Sequence, residues 1–204
     1  LKAFLANDEV PSAALTPAPG GGFYGILPRE ALSGNGLLYR ITIDGTFDVL
    51  YTFTDTEGYP VQIRLGLDGN TYVTHGYSVL VIRPDGSIVP NAFRAAGMLL
   101  AVDANGAAYG VDSRCQPLCE IGLSRRQPDG TVDWLQSLAT GIFYADASDL
   151  AVSPAGVVVG VAPVSATNDC QVFRFNGTFQ PVGQIAGLTN ATCRGRVRWD
   201  PVNG

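Results

Sequence analysis

His75 is the one histidine of the 204 residues, and it stands in Thr74-His75-Gly76-Tyr77. Hydrolysis by a serine or cysteine nucleophile needs an imidazole to take the nucleophile's proton and a carboxylate to orient that imidazole. The chain can build at most one such group. The segment around His75 reads as a short loop at a sheet rim, where an ordinary polar residue is expected. Acidic residues gather at Asn7-Asp8-Glu9 and at Asp55-Thr56-Glu57-Gly58. Such runs can offer oxygen ligands to Ca²⁺, but neither has the spacing of a calcium loop, so both read as solvated connections. Gly20-Gly21-Gly22 lacks the Lys-Ser/Thr pair and the following helix of a phosphate loop. Cys115 and Cys119 have metal-like spacing, yet no histidine or further cysteine is near them in sequence, which makes a zinc site poor. No catalytic residue, metal or cofactor is expected from these residues.

A second pattern is Arg194-Gly195-Arg196-Val197-Arg198-Trp199. Alternate strand residues share a face, so Arg194, Arg196 and Arg198 project one way. Burying three guanidinium groups without partners is costly. The three are therefore candidates for a row of ion pairs to another blade, a subunit contact or an anion site.

The elements that carry these residues repeat. One turn recurs as Ile43-Asp44-Gly45-Thr46, Pro84-Asp85-Gly86-Ser87, Pro128-Asp129-Gly130-Thr131 and Phe175-Asn176-Gly177-Thr178. Asp-Gly and Asn-Gly between β-rich runs are strong hairpin signals, and they predict two-residue type I′ turns. A second turn falls between them, at Leu67-Asp68-Gly69-Asn70, Ala104-Asn105-Gly106-Ala107 and Pro154-Ala155-Gly156-Val157, with Gly20-Gly21-Gly22 in the same place of the first unit. Each unit thus has two tight hairpins and four strands, the pattern of a propeller blade. The reading is all-β, a propeller-like array of about four four-stranded blades in a single domain, residues 1–204. The units are approximately 11–56, 59–95, 97–140 and 147–188, with partial blades at 1–6 and 193–204. A single meander cannot cover both of its faces, so neighbours must stack.

Composition agrees. Gly numbers 25 and Pro 13, while charged residues are only 15%, against roughly 25% in ordinary domains. The net charge is −5, so no basic footprint for nucleic acid exists. No apolar run approaches the roughly 20 residues of a membrane helix.

Gly22-Phe23-Tyr24-Gly25, Gly34-Asn35-Gly36-Leu37-Leu38-Tyr39-Arg40-Ile41-Thr42 and Asp44-Gly45-Thr46-Phe47-Asp48-Val49-Leu50-Tyr51-Thr52-Phe53 together resemble the tandem repeat of bacterial secreted choice-of-anchor proteins of the GloVer type. Unit one matches best and the later units progressively less. The resemblance implies secretion and a propeller-like fold, and it carries over no catalytic residue.

Leu1–Leu5 reads as an outer strand and Cys193–Asp200 as an inner one, so the simplest expectation is an excerpt from a longer propeller. Four cysteines in a chain with one lysine favour disulfides, and Cys170–Cys193 is a geometrically reasonable pair, although four cysteines allow three pairings. Asn176 and Asn190 head glycosylation sequons. The expected function is a non-catalytic structural or interaction module, secreted or at the cell surface, in contact with other subunits or further blades and possibly a filament. The alternatives are a glycan-binding propeller, for which Tyr24, Tyr72 and Tyr109 recur in second strands, and a propeller hydrolase or lyase.

Overall fold

A computed structural model of the chain describes residues 15–28, 36–76, 78–94, 98–115, 119–140, 149–163 and 170–185. The described residues form sixteen strands and no helix. The first sheet holds β1 (Thr16–Pro17), β2 (Phe23–Leu27), β3 (Leu37–Ile41) and β4 (Phe47–Thr52). The second holds β5 (Pro60–Leu65), β6 (Thr71–His75), β7 (Ser78–Ile82) and β8 (Ile88–Arg94). The third holds β9 (Met98–Val102), β10 (Ala108–Cys115), β11 (Cys119–Arg126) and β12 (Val132–Thr140). The fourth holds β13 (Asp149–Val152), β14 (Val158–Pro163), β15 (Cys170–Phe175) and β16 (Phe179–Ile185). Each sheet is an antiparallel meander with its strands in chain order. This is the expected all-β, propeller-like array of four blades. The chain divides into two compact units, Leu1–Ala95 and Ala96–Gly204, with two blades each.

The hairpins stand where the Asp-Gly and Asn-Gly pairs placed them, but the turn type differs. In the first blade the Gly45 N–H donates to the Thr42 carbonyl at 3.0 Å, and the Thr42 N–H donates to the Thr46 carbonyl at 2.9 Å. That is a three-residue loop closed by a left-handed glycine, and Gly45 has φ +88°. The same pair of bonds recurs at 66–70, 83–87, 103–107, 127–131 and 153–157. A type I′ turn would need the aspartate at positive φ too, yet among the described residues Asn91 is the one non-glycine there. The aspartate's own chemistry accounts for the difference. The Asp44 Oδ1 accepts from the Thr46 N–H at 3.2 Å, Asp85 from Ser87 at 2.8 Å and Asp129 from Thr131 at 2.9 Å. The side chain serves the amide two residues on, and only the glycine needs the left-handed conformation.

The two ends of each sheet therefore differ. At one end the connections are short and nearly uniform. At the other they vary widely in length, from 76–77 to 28–36. Variable loops on a regular scaffold are where function concentrates.

Packing within each unit joins its two blades. In the first, Tyr24, Ile26, Leu38 and Phe53 bury against Ile63, Val73, Leu80 and Ile82. In the second, Tyr109, Val111, Ile121 and Leu123 bury against Leu150, Val152, Val158 and Phe173. The outer strands are more exposed, as β4 shows along its length.

Candidate functional site

The strongest polar constellation among the described residues lies in the first unit, at the variable end, where the 53–59 connection meets the end of β6 and the middle of β8. Phe53 is buried and anchors the connection. Thr54 then starts a turn whose carbonyl accepts from the Glu57 N–H at 3.0 Å. The Glu57 side chain folds back over that turn. Its Oε2 accepts from the Thr54 N–H at 3.0 Å and from the Thr54 hydroxyl at 2.8 Å. Its Oε1 accepts from the Tyr51 hydroxyl at 2.6 Å and from the Asn91 amide at 3.4 Å. Burial pushes this carboxyl up, but the Tyr51 and Thr54 hydrogen bonds and the nearby His75 outweigh burial and hold it below its ordinary value. Tyr51 moves the opposite way. Burial first, then its bond to the Glu57 carboxylate, pushes its hydroxyl up to about 12, so it stays a donor across the physiological range.

His75 is not a polar loop residue. It ends β6, is 0% exposed, and packs 5.0 Å from the Phe53 ring. Its Nδ1 lies 3.1 Å from the Glu57 backbone carbonyl. A carbonyl only accepts, so Nδ1 carries the proton and donates. On the other side of the ring Nε2 is buried, with no hydrogen-bond partner among the described residues. Gly76 makes this approach possible. A Cβ there would stand 2.5 Å from the Glu57 carbonyl oxygen.

Asn91 has φ +50°, a conformation that asparagine tolerates better than most residues. It sits where the β7–β8 register slips between Val79 and Val81. Such slips re-aim a side chain, and here the amide turns toward Glu57. Non-glycine residues held at positive φ gather at functional sites. The reading of 55–58 as a solvated loop holds for Asp55 and Thr56, which are exposed, and is corrected at Glu57, which is half-buried and bonded on both oxygens. Neither His75's burial nor Glu57's partners carries a local sequence signal.

Other expected residues fall elsewhere. Cys115 and Cys119 form a disulfide that closes the β10–β11 hairpin. Cys170 is buried and disulfide-bonded, while its expected partner Cys193 lies outside the described residues. So do Asn190, Arg194, Arg196, Arg198 and the acidic run at Asp8-Glu9. Asn176 is exposed in the β15–β16 turn. Tyr24, Tyr72 and Tyr109 are buried. The Tyr72 hydroxyl donates to Asp68 at 2.6 Å and the Tyr109 hydroxyl to Asp103 at 3.3 Å. They are packing residues and offer no stacking platform to a sugar. Among the described residues no cluster of metal-ligating side chains occurs.

No family model and no curated protein matches the chain in sequence. Solved structures match it in fold. A puromycin hydrolase is 17% identical with a TM-score of 0.55, covering 87% of this chain and 29% of that one. A Bacteroides uniformis protein assigned provisionally as a 6-phosphogluconolactonase is 14% identical with a TM-score of 0.54, covering 86% of this chain and 55% of that one. A streptogramin B lyase is 16% identical with a TM-score of 0.50, covering 88% of this chain and 56% of that one. This chain spans a little over half the length of the last two. At these identities the likeness shows the fold. The expected non-catalytic structural module and the expectation that the chain is not an enzyme are corrected to this extent: the three propellers named here are a hydrolase, a provisionally assigned lactonase and a lyase.

Proposed function

We propose that this chain belongs to a propeller hydrolase or lyase, and that Glu57 is the carboxylate base of its site. One observation carries the reading. A half-buried glutamate at the variable end of the sheets is held below its ordinary value, with a tyrosine that keeps its proton through the physiological range on one oxygen and the amide of Asn91 beside it. A carboxylate fixed in this way can take a proton from a substrate carbon or from an attacking water. Thr54 and Tyr51 keep it ionised, and Asn91 supplies a donor for a neighbouring oxygen. His75 acts as a positioning group, since its ring holds the backbone of Glu57 and its own atoms are out of a substrate's reach. The Cys115–Cys119 disulfide supports an oxidising compartment, which accords with secretion.

The substrates named by the neighbouring enzymes set the panel for a test: sugar lactones, streptogramin B and puromycin. Turnover of one of them, lost in Glu57→Gln with the fold retained by circular dichroism, is the expected result. Equal turnover by the wild-type chain and Glu57→Gln would remove Glu57 from the chemistry.

A further inference from the structure

Asp112 is 8% exposed and lies on β10, on the face opposite the Tyr109–Val111 core of its unit. Its Oδ2 lies 2.5 Å from the Ser124 hydroxyl on the adjacent strand β11. Its Oδ1 is buried and has no hydrogen-bond partner among the described residues. An ionised carboxylate has two oxygens that each call for donors, and burying one of them bare is among the costliest arrangements a protein can hold. A neutral acid needs less. Its hydroxyl donates once, and the remaining carbonyl-type oxygen is a weak orphan.

We propose that Asp112 is a proton-binding site: the folded chain keeps the proton on this side chain after its exposed aspartates have lost theirs, with the acid hydroxyl donating to Ser124. Proton counting on Ser124 fits. That hydroxyl has one hydrogen and faces two acceptors, Asp112 at 2.5 Å and the Gly110 carbonyl at 3.5 Å. When the acid supplies its own proton, the serine's hydrogen is free to turn to Gly110, and the three groups form one directed chain. Burial, the largest influence on this carboxyl, pushes it up, and the Ser124 bond and the charge of Arg126 on β11 only partly oppose it. Arg114 and Glu120, further along the same two strands, are paired with each other, so they leave Asp112 to its burial.

A raised carboxyl value has a definite linkage sign. The site stabilises the fold fully below the ordinary aspartate value of 3.8 and loses that contribution as pH rises through the folded value. The test is a carbon-13 titration of the aspartate carboxyl groups in the full chain. Asp112 is expected to keep the acid signal after Asp44, Asp85 and Asp129 have become carboxylates. Titration together with those three, or below them, overturns the proposal. Thermal unfolding of Asp112→Asn gives an independent reading. Its gain over the wild-type chain should widen as pH rises above the ordinary aspartate range, and a gap that stays constant with pH also overturns the proposal. Should Asp112→Asn fail to fold, the titration on the wild-type chain decides.

Discussion

The Nδ1 atom of His75 donates to the backbone carbonyl of Glu57 across 3.1 Å, which ties the end of β6 in the second blade to the connection leaving the first. The bond decides where the glutamate can be. The carbonyl cannot turn away without leaving a buried donor unmet, and the side chain of the same residue is fixed by Tyr51 and Thr54. The backbone is thus held from the second blade by His75, and the carboxylate from both blades, by Tyr51 of the first and Asn91 of the second.

Replacing His75 separates the two parts of this contact. His75→Ala removes a fully buried ring and the donor together, and should cost the first unit about 3 kcal/mol. His75→Phe refills the space against Phe53 and leaves only the carbonyl unmet, with an expected cost of about 1–2 kcal/mol. Urea unfolding of both variants checks the ordering. A phenylalanine variant less stable than the alanine one would mean that the ring position cannot accept an apolar side chain.

Glu57 and Tyr51 make a prediction about pH. A base must be ionised to work, and Glu57 is held below its ordinary value of 4.5. The acid limb of the rate profile should therefore have its midpoint below 4.5, with full activity through neutrality. Tyr51→Phe deletes a bond that favours the charged form, so the midpoint should move up. An unmoved midpoint would show that Thr54 and His75 alone set the carboxyl. In the same chain one tyrosine should resist ionisation until about pH 12, which an ultraviolet titration of the wild-type chain against Tyr51→Phe would assign.

The turn glycines divide by what surrounds them. Gly86 has φ +84°, and a methyl group placed there would meet nothing within 4 Å, so Gly86→Ala should cost only the backbone penalty, about 1 kcal/mol. Gly22 has φ +87°, and a Cβ there would run into the Ile41 carbonyl. Gly22→Ala should therefore lower the melting temperature clearly more than Gly86→Ala. Equal losses would mean that the first hairpin shifts to make room.

Much of this architecture can be read from residues close together in the chain. Asp85-Gly86 marks its hairpin because the carboxylate and the glycine both act within the turn. The alternation in Phe47–Thr52 marks an outer strand because it needs only one sheet. The turn type departs from expectation for a local reason too, since Asp44 satisfies the Thr46 amide and so stays out of the left-handed region. The site is another matter. Glu57 meets Asn91 only because the β7–β8 register slips, and His75 is buried only because Phe53 arrives from another blade. Those are products of register and stacking, and no spacing in the sequence encodes them.

Acid should loosen the hairpins before it reaches the cores. Asp44 is lowered first by its Thr42 bond, Asp85 by Ser87 and Asp129 by Thr131. A lowered carboxyl stabilises the fold above the ordinary value of 3.8 and gives that up as pH falls through the folded value. Amide exchange at Thr46, Ser87 and Thr131 should rise over that range, because each loses its carboxylate acceptor. Asp85→Asn should remove the acid dependence at Ser87 and leave it at Thr131. A dependence that survives at Ser87 would mean that a group other than Asp85 governs the turn.

The Cys115–Cys119 bridge spans a sequence separation of four, so the loop it closes is among the shortest a disulfide can make. Loop entropy alone then gives it about 2 kcal/mol, less than a long-range bridge would supply. Its position adds to this. Arg114 and Glu120, the next residues inward, face each other across β10 and β11 and form an ion pair. Glu120 also accepts from Ser137 on β12 at 2.6 Å, and Arg114 lies 4.2 Å over the Trp134 ring. Opening the bridge should fray this end of the third blade inward from the hairpin tip. Cys115→Ser with Cys119→Ser should lower stability by about 2 kcal/mol and speed amide exchange at Glu120 and Ile121, with Arg125 and Arg126 at the far end of β11 unchanged. Faster exchange along the whole of β11 would show that the bridge holds the blade itself rather than its tip.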